Sequence, residues 1–151
     1  MNKILLFSIF LTISLQATFA QSAEDSVKST IMQLFEGMRA GDSSMMSEVF
    51  AAEARLLTVA EQDEKTSLRE APISTFLQAV GSPHEEVWDE QILDYQINVD
   101  GKLATAWTPY RFYRDTTFSH CGVNAFQLYL SNNGWKIIQI TDTRQTEGCD
   151  Q

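Results

Sequence analysis

The sequence predicts an α+β domain in which three helices close one face of a curved antiparallel sheet. Three observations carry that prediction. Apolar residues recur at helical spacing in three early segments. Residues 103–149 read as three long strands, LATAWTPYRFYR, FSHCGVNAFQLYLS and WKIIQITDTR, with alternating apolar positions. Turn signals separate those strands, and early helices followed by late strands are the order of an α+β domain.

The elements follow in chain order. Residues 1–20 are expected to be a secretory signal peptide, with residues 21–151 a single domain. Met1-Asn2-Lys3 gives a short positive segment, and residues 4–15 give an apolar run. That run is shorter than the roughly 20 residues a membrane span needs. Ala17-Thr18-Phe19-Ala20 supplies small residues for cleavage after Ala20. The mature protein is therefore expected in the periplasm or outside the cell, off the membrane once the signal is cleaved.

Ser22 and Asp25 resemble a capping box, and Val27, Ile31, Leu34, Phe35 and Met38 form the first helical stripe. Gly41 ends that helix, because glycine adopts the left-handed backbone at low cost. Asp42 caps a second helix carrying Met45, Met46, Val49 and Phe50. Residues 55–61 (RLLTVAE) read as a strand, residues 62–65 as its turn and residues 66–69 as a short return strand. Pro72 starts a third helix, with Ile73, Phe76, Leu77 and Val80 on one face and Gly81 closing it. Residues 91–99 alternate as a strand, and Asp100-Gly101 is a two-residue hairpin signal. Turns at residues 114–117 and at Asn132-Asn133-Gly134 complete a four-strand meander.

The chain carries 11 basic against 20 acidic residues, a formal net charge of −9. An acidic surface without a basic cluster argues against nucleic acid and anionic lipid as partners and suits neutral or cationic ligands. Two cysteines in an exported chain point to one disulfide, Cys121–Cys149. No CxxC or comparable ligand spacing points to a metal, and no cofactor motif is present.

Counting back from the turns gives the strand register. Arg111 is expected to face His120, Trp107 to face Asn124, Leu128 to face Ile138, Phe126 to face Ile140, and Asn124 to face Asp142. Opposed residues share a sheet face and side chains alternate with period two. Trp107, Arg111, His120, Asn124, Phe126, Asp142 and Arg144 therefore fall on the core-facing side, polar toward one rim. Tyr110, Phe112, Gln127 and Tyr129 fall on the other. A bulge, for which Gly122 is a candidate, would invert part of this pattern. The same count opposes Cys121 to Gln145. The disulfide then requires the tail to curl back, because four strand residues span roughly 13 Å and bridged Cα atoms lie within roughly 7 Å.

The blocks Ala106-Trp107-Thr108-Pro109-Tyr110, Phe118-Ser119-His120-Cys121-Gly122-Val123-Asn124 and Trp135-Lys136-Ile137-Ile138, with Asp142-Thr143-Arg144 and Glu147-Gly148-Cys149, resemble the nuclear-transport-factor-2-like (NTF2-like, SnoaL-like) superfamily. More narrowly they are similar to its "putative lumazine-binding" branch. The resemblance covers residues 23–149. It implies a cone with a pocket between the concave sheet and the helices, and enzymes of the superfamily place a carboxylate or histidine there as general base. The tyrosine/aspartate oxyanion pair of the ketosteroid isomerases does not map onto this sequence.

Three functions are compatible with these residues. The first is a domain that binds a small, flat or apolar molecule in the cone, using Trp107, Arg111, Asn124, Phe126 and Arg144. The second is an isomerase- or dehydratase-type enzyme, with His120 as base, Asp142 orienting it, and Asn124 or Arg144 stabilising an oxyanion. In the bland alternative those polar groups are a structural network, Asp142 pairing with Arg144 or Arg111. The third is a non-catalytic homodimeric module that associates through the aromatic outer face of the sheet.

Overall fold

A computed structural model of the chain describes residues 22–62 and 65–149. The expected signal segment and part of the first hairpin's turn lie outside these residues. Helix α1 (Ala23–Ala40) starts at Ser22, whose hydroxyl accepts from the Asp25 amide, and stops at Gly41, where φ is 66°. Its expected stripe is the one it buries: Val27, Ile31, Leu34, Phe35 and Met38. Asp42 caps the short α2 (Ser43–Ser47), accepting from the Met45 amide at 2.9 Å.

Next come β1 (Phe50–Gln62), β2 (Lys65–Pro72) and α3 (Ile73–Gly81). Five strands follow rather than four: β3 (Trp88–Ile92), β4 (Gln96–Asp100), β5 (Leu103–Arg114), β6 (Thr117–Ser131) and β7 (Gly134–Thr143). The single strand expected over residues 91–99 is thus two, broken after Ile92, and both halves pair with β5. The strands run in the order β2-β1-β7-β6-β5-β3 in one curved, unclosed sheet. It is antiparallel except between β1 and β7, which pair in parallel.

All three helices lie on one face. Their stripes meet Ala104, Ala106, Tyr110, Phe112, Phe126, Leu128, Trp135, Ile137 and Ile140 in a continuous core. Phe35 of α1 meets Phe126 of β6 edge-on at 6.2 Å between ring centroids. Burial of that stripe is the main attraction between layers, at about 25 cal/mol per Å² of apolar surface.

Two bulges separate the observed register from the expected one. Tyr113 pairs with Phe118 as counted, but Phe112 pairs with His120, so Ser119 is an extra residue on β6. Every pairing beyond it shifts by one: Trp107 faces Ala125, and Arg111 faces Cys121. Trp107 and Arg111 therefore point away from the helices, while Tyr110 and Phe112 point into the core. The expected faces of these four are reversed because side chains alternate with period two. On the other side, Ser131 pairs with Gly134 through a two-residue turn, one position tighter than counted. A bulge then leaves Leu128 opposite Ile137, not Ile138, and restores Phe126–Ile140 and Asn124–Asp142 as expected.

The C-terminal tail curls back as the cysteine pairing requires. Cys121 exchanges backbone hydrogen bonds with Gln145, each at 2.9 Å. Gly148, at φ 70°, turns the chain so that Cys149 bonds to Cys121, with Cα atoms 5.8 Å apart. Arg111 donates to the Cys149 carbonyl at 3.0 Å, so its side chain braces the tail.

Gly122 lets three strands meet closely. Tyr110 lies across it and donates its hydroxyl to the Thr143 carbonyl at 2.9 Å. A Cβ on residue 122 would stand 1.9 Å from the Thr143 carbonyl oxygen and 3.1 Å from the Tyr110 ring. The first obstacle is backbone and has no rotamer in which to escape. Gly122→Ala is therefore expected to cost about 3 kcal/mol or more, at or above the upper end of ordinary overpacking. Urea denaturation measures it, and an unchanged midpoint would refute the close approach.

Candidate functional site

Packing between helices and sheet is incomplete at one end, which leaves a cavity of about 250 Å³. Phe35 and Met38 of α1, Leu56 of β1, Thr75, Phe76 and Ala79 of α3, and Ile140 of β7 form most of its wall. The polar groups gather on the sheet side. Thr108, Asn124, Asp142 and Thr58 occupy one rung across β5, β6, β7 and β1, each paired with the next. Asn124, Asp142 and Thr58 line the cavity, joined by Glu90 from β3 and Arg144 just past β7.

Hydrogen bonds tie this set into two groups. Thr58 Oγ1 donates to Asp142 Oδ1 at 2.5 Å, and Arg144 Nε donates to Asp142 Oδ2 at 2.7 Å. Both aspartate oxygens are thus satisfied. Asp142 is buried while the Arg144 side chain keeps 58% of its surface, so the pair reaches from the wall to solvent. Separately, Asn124 Nδ2 donates to Glu90 Oε1 at 2.6 Å.

Glu90 retains some residue surface, yet its carboxyl sits among protein atoms. Burial pushes its pKa up from 4.5 to about 7. The Asn124 hydrogen bond opposes the rise, Asp142 adds to it and Arg144 opposes it. For Arg144, burial works against the charge, but the bond and charge of Asp142 outweigh it and hold the guanidinium above its ordinary value. Burial, then Glu90 and Asp142, push the Tyr110 hydroxyl up, so it stays a donor to Thr143.

Of the residues expected at the site, Asn124, Asp142 and Arg144 line the cavity. Phe126 does not: it is 1% exposed and fills the core beside Phe35. His120 is on the expected face but off the cavity. Its ring packs against Phe112 at 4.9 Å and Tyr110 at 5.8 Å, and its Nδ1 shares a 3.1 Å hydrogen bond with Ser119 Oγ. Burial and then Arg144 hold its pKa below the usual imidazole value, against the pull of Asp142. With Asp142 bound to Thr58 and Arg144, the expected His120–Asp142 arrangement is not the one formed. Trp107, half exposed, and Arg111 stand on the opposite face of the sheet.

The sequence reading missed Glu90 and Thr58. Glu90 had a signal: Trp88, Glu90 and Ile92 alternate on one face, an acid between two apolar residues. Starting the strand at Gln91 concealed it. Among the described residues, no cluster of three or more histidine, cysteine or acidic side chains is placed to hold a metal ion.

The family described as putative lumazine-binding matches residues 22–141. An NTF2-like protein with a cystatin-like fold from Novosphingobium aromaticivorans superposes with a TM-score of 0.67 at 12% identity, over 83% of this chain and 84% of that one. A putative dehydratase from the NTF2-like family of Streptomyces avermitilis gives 0.61 at 13% identity, over 80% and 94%. The β subunit of a putative aromatic-ring-hydroxylating dioxygenase from N. aromaticivorans gives 0.67 at 12%, over 82% and 90%. At these identities the likeness is one of fold. No curated protein matches the chain.

The elevated pKa of Glu90 is also a statement about stability. An acid whose folded pKa exceeds its unfolded value stabilises the fold fully below the unfolded value, about 4.5, and loses that contribution as pH rises through about 7. The loss is about 3 kcal/mol once Glu90 is fully ionised. Glu90→Gln keeps the acceptor for Asn124 and removes the charge. It is expected to be more stable than the parent by about 2–3 kcal/mol near pH 8.5 and equal to it near pH 4. Paired denaturation curves at the two pH values check this, and a variant less stable at the higher pH would contradict it.

Proposed function

The chain belongs to the putative lumazine-binding family of the NTF2-like superfamily, and from that premise we propose that its cavity holds a small molecule with an apolar body and a polar edge. The observation that carries this reading is the distribution of groups within one cavity. Phe35, Met38, Leu56, Phe76 and Ile140 give an apolar wall, and Glu90, Asn124, Asp142, Arg144 and Thr58 converge on one side. A pocket lined mainly by apolar side chains with a few placed polar groups is the general form of a ligand site. At about 250 Å³ the space suits a molecule of one or two rings.

Ala79 is exposed at the cavity's edge, so a large side chain there obstructs the space without invading the core. Native mass spectrometry of the chain purified from its own cells is expected to show a copurifying small molecule. The same preparation of Ala79→Trp should lack it, with an unchanged melting temperature. Equal occupancy in both proteins would refute the cavity as its seat.

Acid–base catalysis is a second reading, favoured by one observation. Glu90 titrates near neutrality beside Asn124 and the charged Asp142–Arg144 pair, the condition in which a carboxyl can both accept and return a proton. In this reading the base is Glu90, and His120 serves packing. The shared fold of the Streptomyces avermitilis putative dehydratase is consistent with it.

We further propose that the protein is exported, with residues 1–20 removed. The apolar run at residues 4–15 and the disulfide both support export. Mass spectrometry of the exported protein is expected to show a chain beginning at Gln21, and retention of residues 4–15 would overturn the reading. Self-association is proposed on the outer face of the sheet, where Leu103, Trp107 and Tyr129 are each at least 40% exposed. Tyr110 and Phe112, expected there, belong to the core instead.

A further inference from the structure

The cavity holds two carboxylates and one guanidinium, which is paired through Nε with one of them. Arg144 Nε is bound to Asp142 Oδ2, and Thr58 satisfies Asp142 Oδ1. Glu90 has only Asn124, on Oε1. Among the described residues no donor is bound to Glu90 Oε2, and the side chain lines the cavity. The site as folded therefore lacks one hydrogen-bond donor and one positive charge. The other charged or titratable groups do not supply them. Tyr110 on β5 is occupied with the Thr143 carbonyl. Arg39 on α1 is bound to Asp89, and Glu36 beside it is another acid. His120 on β6 is paired with Ser119. The cavity residues of α3, Thr75, Phe76 and Ala79, carry no charge.

On the reading that the cavity binds a small molecule, we propose that it selects a small cyclic base, whose protonated nitrogen docks on the free oxygen of Glu90 while its ring lies against Phe35, Leu56, Phe76 and Ile140. Three features meet in this assignment. A buried carboxylate is costly until it is paired, and an arriving cation supplies both the charge and the hydrogen. The apolar wall accepts a ring but offers nothing to a second charge. The chain's formal charge of −9 favours the approach of cations over that of anions. A bound cation also favours the ionised form of Glu90, so affinity should rise as pH rises through about 7.

The test compares three probes of nearly equal shape, benzamidine, benzamide and benzoate, by calorimetric titration of the purified chain and of Glu90→Gln. Near pH 8, benzamidine is expected to bind at least about tenfold more tightly than either of the others. That preference should shrink near pH 5, where Glu90 is protonated. Glu90→Gln should remove it, in a variant that melts no lower than the parent. If benzamide or benzoate binds the parent as well as benzamidine, or if the preference survives Glu90→Gln, the base is not the ligand class and the cavity reading stands. If none of the three binds at millimolar concentration to a chain with a normal melt, both readings fall.

Discussion

Tyr110, Gly122 and Thr143 form the crossing on which the geometry of the site depends. The tyrosine ring spans a residue with no side chain and reaches the backbone of the next strand but one. That contact fixes three strands in relative position at the open end of the sheet. Thr143 is flanked by Asp142 and Arg144, so the bond that holds its carbonyl also sets where those two side chains stand. Its hydroxyl accepts from the Val123 amide at 3.1 Å, and Gln145 is held by Cys121. The disulfide adds a covalent closure just beyond. A polar segment at a strand's exit would ordinarily fray, because few buried contacts hold it. Here four separate attachments keep it ordered, which lets a charged pair serve as one wall of a cavity.

The helix–sheet contact explains why the cavity lies at that end. Phe35 on α1 meets Phe126 on β6, and toward the first turn of α1 the space is filled by Val27, Ile31, Leu128, Trp135 and Ile137. Toward the other end the rung of Thr108, Asn124, Asp142 and Thr58 replaces apolar residues on the same sheet face. Polar side chains on adjacent strands do not interdigitate with a helix as leucine and isoleucine do. Thr58 bonds to Asp142 and Asn124 to Glu90, Thr108 Oγ1 has no partner, and the volume above the rung stays open. The cavity is thus a consequence of which residue types stand on one row of the sheet.

Much of the fold was legible because it rests on periodicity and caps. The α1 stripe, Ser22, Gly41 and Asp42 behave as local rules require, and Phe126–Ile140, Asn124–Asp142 and Cys121–Gln145 are paired as counted. The pairing of β6 with β7 came out right through compensation, since a turn one residue tighter than counted is offset by a bulge beside Leu128. Between β5 and β6 no second error restored the register. The extra residue there is Ser119, and nothing in its chemistry announces a bulge, whereas the glycine that looked like a candidate serves a close approach instead. Because alternation has period two, that single residue moved Trp107 and Arg111 out of the site and Tyr110 and Phe112 into the core. The face of Glu90 was readable from Trp88 and Ile92, but its role was not. Its meaning depends on a partner 34 positions away, Asn124, and local pattern carries no information about such a distance.

The two carboxylates also show how position within one cavity divides labour. Asp142 receives two donors and a nearby positive charge, so its partners offset the cost of its burial. Glu90 receives one neutral donor and faces Asp142, and its charge remains expensive. A protein selected only for stability could place glutamine at residue 90, keep the hydrogen bond to Asn124 and avoid that cost. An acid retained where an amide would be more stable at neutral pH stores free energy that a ligand or a proton can release. Of the described groups lining the cavity, Glu90 alone combines a raised carboxyl pKa with an oxygen that no donor holds, so exchange of charge with whatever enters is concentrated on that one side chain.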